Sequence, residues 1–398
     1  MRLATPQLRV ALVAALLVAM YFTWPGLEAA YTATTEKYDS FSIVVALIFI
    51  GAVLYAWSKV GEKGLLNNKE VWKPRSAAFT ALNRGAAAVL LFVIASVTGG
   101  PNIQEGFWVP VLIAGVLNIG IQFAGVRART LEDLSLVTPI SSSTPTLVIL
   151  VSMLFLGEYP TSLGVVGIGV VAFGTYTLQL GEAKKRVVAR QLLIEKLGRA
   201  PTKEELDREL KGEKLPQSEE STPNFAGQKA EEGLLFWIQV FLAPILSLRE
   251  SAGVRWAFFG VFLACFALTA DGVVARTANV AFGSAIVFGI TALGNGLIAL
   301  ARSEFSGLVP QLHRQGIAAR TLGLIVFYAL VYAGFTVFTN AAFRLALVPY
   351  VGSLKRLNIP LTILAAMIFL GERKNMWWRL AGGVIVTIGV VMINMAMG

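Results

Sequence analysis

Long apolar runs separated by short polar turns make up most of the chain. A bilayer core about 30 Å thick takes about 20 such residues as a helix. On that ruler the pattern predicts eleven spans: Leu8 to Trp24, Phe41 to Trp57, Ala77 to Val97, Trp108 to Val126, Leu136 to Leu156, Ser162 to Leu180, Trp256 to Ala275, Val280 to Leu300, Thr321 to Asn340, Leu347 to Leu370 and Trp377 to Met395. A shorter run, Leu234 to Leu248, would extend only about 22 Å as a helix and is interrupted by Pro244, so it reads as an interfacial piece. Residues 181–232 form the only long polar stretch, with eleven basic and eleven acidic side chains. Within that linker Thr202 and Glu205 have the spacing of a capping box, which predicts a short helical hairpin.

Composition agrees with the pattern. Of 398 residues 56% are hydrophobic and 15% charged, and the mean hydropathy is +0.67, which defines an integral membrane protein. One cysteine (Cys265) and one histidine (His313) leave no basis for a disulfide framework or a metal centre, and no cofactor is called for. The net charge of +10 reads as a topology signal and not as a nucleic-acid surface. With the amino terminus inside, most Lys and Arg fall in cytoplasmic loops, leaving Lys37, Arg276 and Arg344 outside, as expected for a multi-pass protein of the cytoplasmic membrane. Three cations, Arg84, Lys355 and Arg356, fall within spans.

An internal repeat organises the spans. Shifted by 214 residues, LVTPISSSTPTLVILVSMLFLGEYP (136–160) aligns with YVGSLKRLNIPLTILAAMIFLGERK (350–374) without a gap. Leu147 matches Leu361, Ile149 matches Ile363, Met153 matches Met367, and the run FLGE recurs as residues 155–158 and 369–372. Each copy is the fourth span of a set of five. Because five is odd, the two sets cross the membrane in opposite directions, the inverted repeat of many secondary transporters. The charge pattern demands the same inversion.

Two five-helix sets, each with a Pro-containing fourth helix closing in LGE, resemble the EamA fold of the drug/metabolite transporter superfamily, over about residues 41–180 and 255–396. The resemblance implies an all-α membrane fold, a ten-helix transporter core made of two inverted five-helix repeats, here with one extra amino-terminal helix. The domains expected are 1–40 (extra helix and outside loop), 41–180 (first repeat), 181–254 (linker with interfacial helix) and 255–398 (second repeat). Most such proteins have ten helices with both termini cytoplasmic. The added helix therefore turns this core the other way, unless residues 8–24 are a cleaved signal peptide.

Candidate chemistry sits in the tenth span. A Lys or Arg at the centre of a span costs about 2.5 to 3.5 kcal/mol on insertion scales, so the adjacent Lys355 and Arg356 need snorkelling, a structural partner or a wet cavity. A related branch of the superfamily, the plastid triose-phosphate and nucleotide-sugar translocators, carries a Lys-Arg pair in the corresponding helix that holds substrate phosphate. That resemblance implies an anionic ligand for Lys355 and Arg356. Their first-repeat counterparts, Ser141 and Ser142, offer neutral hydrogen bonds to a ligand or back to their own helix. Asn118 and Gln122, one turn apart, line a cavity or tie helices together. Asp271 makes a surface salt bridge near Arg276 or carries a coupling proton. Glu158 and Glu372 suit the positive ends of the helices that follow them. Ala285 with Gly289, and Ala292 with Gly296, allow tight helix packing within or between subunits, so a homodimer is a candidate assembly.

The leading function is a secondary transporter, exchanger or exporter, of a small anionic or zwitterionic metabolite. An exporter of apolar or cationic compounds, with the pair structural, is the alternative within that class. No GxxxxGK[ST] loop supplies ATP. An enzyme acting on lipid-linked phosphate would need a cluster of acids or histidines in the membrane that the chain lacks. A scaffold or sensor acting through the linker hairpin is the remaining class.

Overall fold

The computed structural model describes residues 40–67, 76–131, 140–199, 251–305, 317–370 and 376–397, with further positions at 205, 206, 208, 209 and 248. Among these residues there are eleven α-helices, three 3-10 turns and no strand. In chain order the helices are α1 (Ser40–Asn67), α2 (Ser76–Val97), α3 (Trp108–Leu131), α4 (Thr144–Leu156), α5 (Ser162–Leu197), α6 (Ala252–Thr277), α7 (Val280–Ala301), α8 (Ile317–Ala341), α9 (Val348–Leu354), α10 (Asn358–Leu370) and α11 (Met376–Met397). Six stretches are long and apolar enough to cross a membrane: Ala77–Val97, Trp108–Ala128, Ala252–Thr277, Val280–Ala301, Gly323–Arg344 and Trp377–Met397. Ile43–Ser58, Ser141–Leu156 and Ser162–Leu178 are apolar but shorter. The helix expected at Leu8 to Trp24, nearly all of the interfacial piece, and Glu372 lie outside the described residues.

A helix satisfies its own backbone polar groups, which is why lipid selects it. The bundle also wears apolar side chains outward: Leu154 is 81% exposed and Leu293 71%. A water-facing surface would not carry so many.

The two copies of the 214-residue repeat are not the continuous helices expected. The first opens with a 3-10 turn, Ser141–Ser143, before α4. The second is α9, then the 3-10 turn Lys355–Leu357, then α10. Proline explains both breaks, since it has no N–H for the carbonyl four residues earlier and its ring crowds that carbonyl. Pro145 deprives Ser141, and Pro360 deprives Arg356. At the repeat offset, Ser141 corresponds to Lys355, Thr144 to Asn358 and Leu156 to Leu370, so breaks and helix ends coincide.

The span expected to stop at Leu180 continues as α5 to Leu197, where Gly198 takes a left-handed conformation at φ 65° and ends it. Leu206 packs on Ala189 and Leu193 of this extension, and Arg199 pairs with Glu205 at 2.7 Å. Thr202, the expected cap, lies outside the described residues.

Packing pairs the two halves of the chain: α5 lies along α11, α2 along α7, α3 along α6, and α1 along α8 and α10. The α5–α11 seam is the tightest. A Cβ on Gly174 would stand 2.6 Å from the Val386 nitrogen, and one on Gly389 2.9 Å from the Gly167 carbonyl oxygen. Lipid gives no hydrophobic drive for helix association, so van der Waals contact between backbones does this work. Of the small residues expected to mark tight packing, Gly296 faces Ala81 and Ala292 faces Gly85 across the α2–α7 contact, whereas Gly289 has open space beside it.

Two buried carboxylates mark opposite ends of the bundle. Glu304, just beyond α7, accepts from the backbone N–H of Ala77 and Ala78 at 3.1 Å each, capping α2. Glu158, just beyond α4, sits at the other end beside Arg276 at the end of α6. Val44, near the start of α1, lies at that same end.

Gly174→Val should lower stability by about 1 to 3 kcal/mol, the usual cost of overpacking, because backbone atoms cannot yield. Unfolding of the detergent-solubilised protein measures it. Gly169→Val, on the same helix where nothing lies within 4 Å of the added carbon, is the control expected to leave the transition in place.

Candidate functional site

The site is built around the broken helix α9. Its amino-terminal N–H, on Val348, donates to Glu158 Oε2 at 2.7 Å, while Glu158 Oε1 receives Arg276 Nη1 at 2.6 Å. Arg276 also donates to the carbonyls of Phe343 (2.8 Å) and Ala346 (3.0 Å), fixing the loop that enters α9. Arg344 donates to the carbonyls of Ala275 and Ala278. The Tyr350 hydroxyl accepts from the Thr161 N–H at 3.0 Å, and Gly164 leaves it room, since a Cβ there would collide with that hydroxyl.

Glu158 therefore serves a helix N-terminus, as a carboxylate should, but the helix is α9 and not the following α5. Thr161 caps α5 itself, its Oγ1 accepting from Gly164 N–H at 3.2 Å. Above α9, Glu158, Arg276, Arg344, Thr161 and Tyr350 line a cavity of about 450 Å³.

Lys355 lies seven residues beyond the start of α9, about 10 Å below that end at 1.5 Å per residue. It turns inward. Its Nζ donates to Asn340 Oδ1 at 3.4 Å and stands 4.6 Å from the Phe343 ring centroid. Asn340 in turn donates to Ser284 Oγ at 3.1 Å, so a polar chain runs from the 3-10 turn through α8 to α7. Asp271 of α6 is within electrostatic reach of Lys355. Arg356 is within electrostatic reach of Tyr55 on α1, in the first half of the chain, and of the buried Cys265 on α6. Lys355, Arg356, Asp271 and Tyr55 each keep partial accessibility, although Val351 and Leu354 immediately before them are fully buried.

The expected residues divide. Ser142 is buried and Ser141 half-buried in the first 3-10 turn, adjoining Thr144, whose carbonyl lies 3.8 Å from Cys265 Sγ. Cys265 is thus flanked by both breaks. Asp271 does not form the expected surface pair with Arg276, which is taken by Glu158; it lies within electrostatic reach of Lys355 instead. Asn118 donates back to Ala114 of its own helix at 2.8 Å. Gln122 lines a separate void of about 20 Å³ with Thr80, Asn295 and Arg302, toward the Glu304 end. The structure thus gathers Lys355, Arg356 and Asp271, brings the serine turn to Cys265, and leaves Asn118 and Gln122 elsewhere. Tyr55 and Ser284 were not anticipated; a lone aromatic or hydroxyl in an apolar helix carries no signal of its own.

The model of the EamA-like transporter family, part of the drug/metabolite transporter superfamily, matches residues 42–179, and that match points to a membrane transporter of small solutes. No curated protein matches the chain in sequence. A solved structure described as "Crystal structure of protein" superposes with a TM-score of 0.55 at 12% identity, covering 88% of this chain and 96% of that one. At that identity the likeness concerns the fold alone.

Glu158→Gln keeps the shape and removes the charge shared by Arg276 and the α9 terminus. It should cost about 1.5 to 3 kcal/mol, the range for hydrogen bonds to a charged group. An unfolding transition unchanged by this substitution would contradict the anchoring role.

Proposed function

We propose that the protein is a secondary transporter, exchanger or exporter, of a small anionic or zwitterionic metabolite, with Lys355 and Arg356 holding the anionic group. The observation that carries this reading is where the pair leads: Lys355 Nζ donates to Asn340 on α8 and lies against the Phe343 ring, and the neighbouring Arg356 is within electrostatic reach of Tyr55 and Cys265. Snorkelling would turn them outward. Ser141 and Ser142 form the neutral wall, in the break that corresponds to the charged one. Asp271 balances Lys355 when the site is empty and is the candidate carrier of a coupling proton.

The core of this reading is two oppositely threaded five-helix sets with the site between them. Support comes from the coincident breaks at the 214-residue offset, and from α1 starting at the Glu158 end where α6 finishes. The charge distribution of the sequence puts that end outside the cytoplasmic membrane. The Glu158–Arg276 pair and the Tyr350–Thr161 contact join the halves there, so release to that side requires them to part. Transport runs on exchange or an ion gradient.

A second reading keeps the pair structural, in an exporter of apolar or cationic compounds. The partners that Lys355 already has in Asn340, Phe343 and Asp271 favour it. Counter-flow in proteoliposomes separates the two. Lys355→Ala and Arg356→Ala should each lower flux of an anionic solute at least about tenfold, one factor of ten per 1.4 kcal/mol of lost binding. Retained anion flux in both variants would favour the second reading. Asp271→Asn should abolish any dependence of flux on a pH gradient while leaving exchange of the same solute intact.

A further inference from the structure

Arg84 of α2 is the third cation within the bundle, and neither the pair nor its partners account for it. It lies eight residues into a helix whose start is anchored by Glu304, about 12 Å in from that end. Its guanidinium carbon stands 3.8 Å from the ring centroid of Tyr332 and 4.8 Å from that of Phe288. Stacking of this kind uses the face of the guanidinium and leaves its N–H edge free. Nη1 is buried and has no hydrogen-bond partner, and among the described residues no carboxylate pairs with Arg84. An unused donor edge on a buried charge is costly unless something visits it.

The surroundings connect this edge to the pair. Tyr332, Thr336 and Asn340 follow one stripe of α8 at four-residue spacing. Asn340 holds Lys355, and Tyr332 underlies Arg84, so the two cationic positions are about 12 Å apart along the helix. Tyr55 fills the interval, 6.2 Å from the Tyr332 ring and 4.9 Å from that of Phe335, and it is also within electrostatic reach of Arg356. An aromatic wall therefore joins the two positions.

We propose that Arg84 is a second oxyanion station: its Nη1 edge receives a carboxylate or phosphate group of the solute between the Lys355–Arg356 position and the Glu304 end, while the wall takes the solute's apolar part. The station rests on the anionic-solute reading above. Bidentate recognition of oxyanions is what a planar guanidinium does best. Two positive positions in series also let an anion leave the first without meeting an uncompensated apolar stretch.

The test needs no knowledge of the natural solute. Thr336 lies between the two positions, and its hydroxyl bonds only to its own helix, at 3.0 Å from the Tyr332 carbonyl, so Thr336→Cys in a Cys265→Ser background is a mild reporter. Its rates of modification by anionic sulfonatoethyl and cationic trimethylammonioethyl methanethiosulfonate are compared at low ionic strength in the reconstituted protein. The anionic reagent should react about tenfold faster, the lower end of what charge-lined clefts achieve. Arg84→Gln should reduce that preference at least about threefold, the size expected when one of several focusing charges is lost. Arg84→Lys should preserve it, and Arg84→Met repeats the neutral test if the Gln variant is poorly recovered. A preference untouched by the neutral variants, or a reporter thiol that neither reagent reaches, overturns the station. The Lys355→Gln, Arg356→Gln double variant is read alongside: a preference that survives it but falls with Arg84→Gln sinks the reading of the pair, whereas the reverse sinks only the station.

Discussion

Charge placed in an apolar bundle is costly unless it finds a partner, and the partners that the buried carboxylates find fix how the helices meet. Glu158 finds Arg276 and the first N–H of α9, and Glu304 finds the first two N–H groups of α2. In both cases the acid comes from one half of the chain and the helix start from the other. Lys355 finds Asn340 and the face of Phe343. Unpartnered, any of these groups would cost several kcal/mol in such surroundings. These polar contacts hold the two halves in register at the bundle ends, beside the close backbone packing of α5 on α11.

Much of this architecture was legible in the sequence. The apolar runs located the helices, and the FLGE repeat located two segments whose breaks and ends coincide residue for residue. The breaks were not anticipated, because the hydropathy pattern suggested unbroken spans, although Pro145 and Pro360 account for them. The continuation of α5 to Leu197 was hidden because its outer part is polar, and helical polar segments and linkers look alike by hydropathy. At the site, the cation pair stood out because charge in an apolar run is anomalous. Its neighbours did not. Tyr55 and Ser284 come from helices distant in sequence, and only packing brings them near. Glu158 was recognisable as a residue for a helix terminus, yet nothing local in the chain names the helix it serves.

The family match covers residues 42–179, whereas Lys355 and Arg356 lie in the other half. Their counterparts in the matched half are serines. The two breaks fall at matching positions, and side-chain choice makes one of them charged. The family match alone therefore carries no information about the cargo, as for folds that host many functions.

The α5–α11 seam constrains motion as well as packing. Where backbones already touch at Gly174 with Val386 and at Gly389 with Gly167, the two helices have no slack to lose. A rearrangement of the alternating-access kind proposed above would keep that line as its fixed axis, as covers turn on the spine of a book.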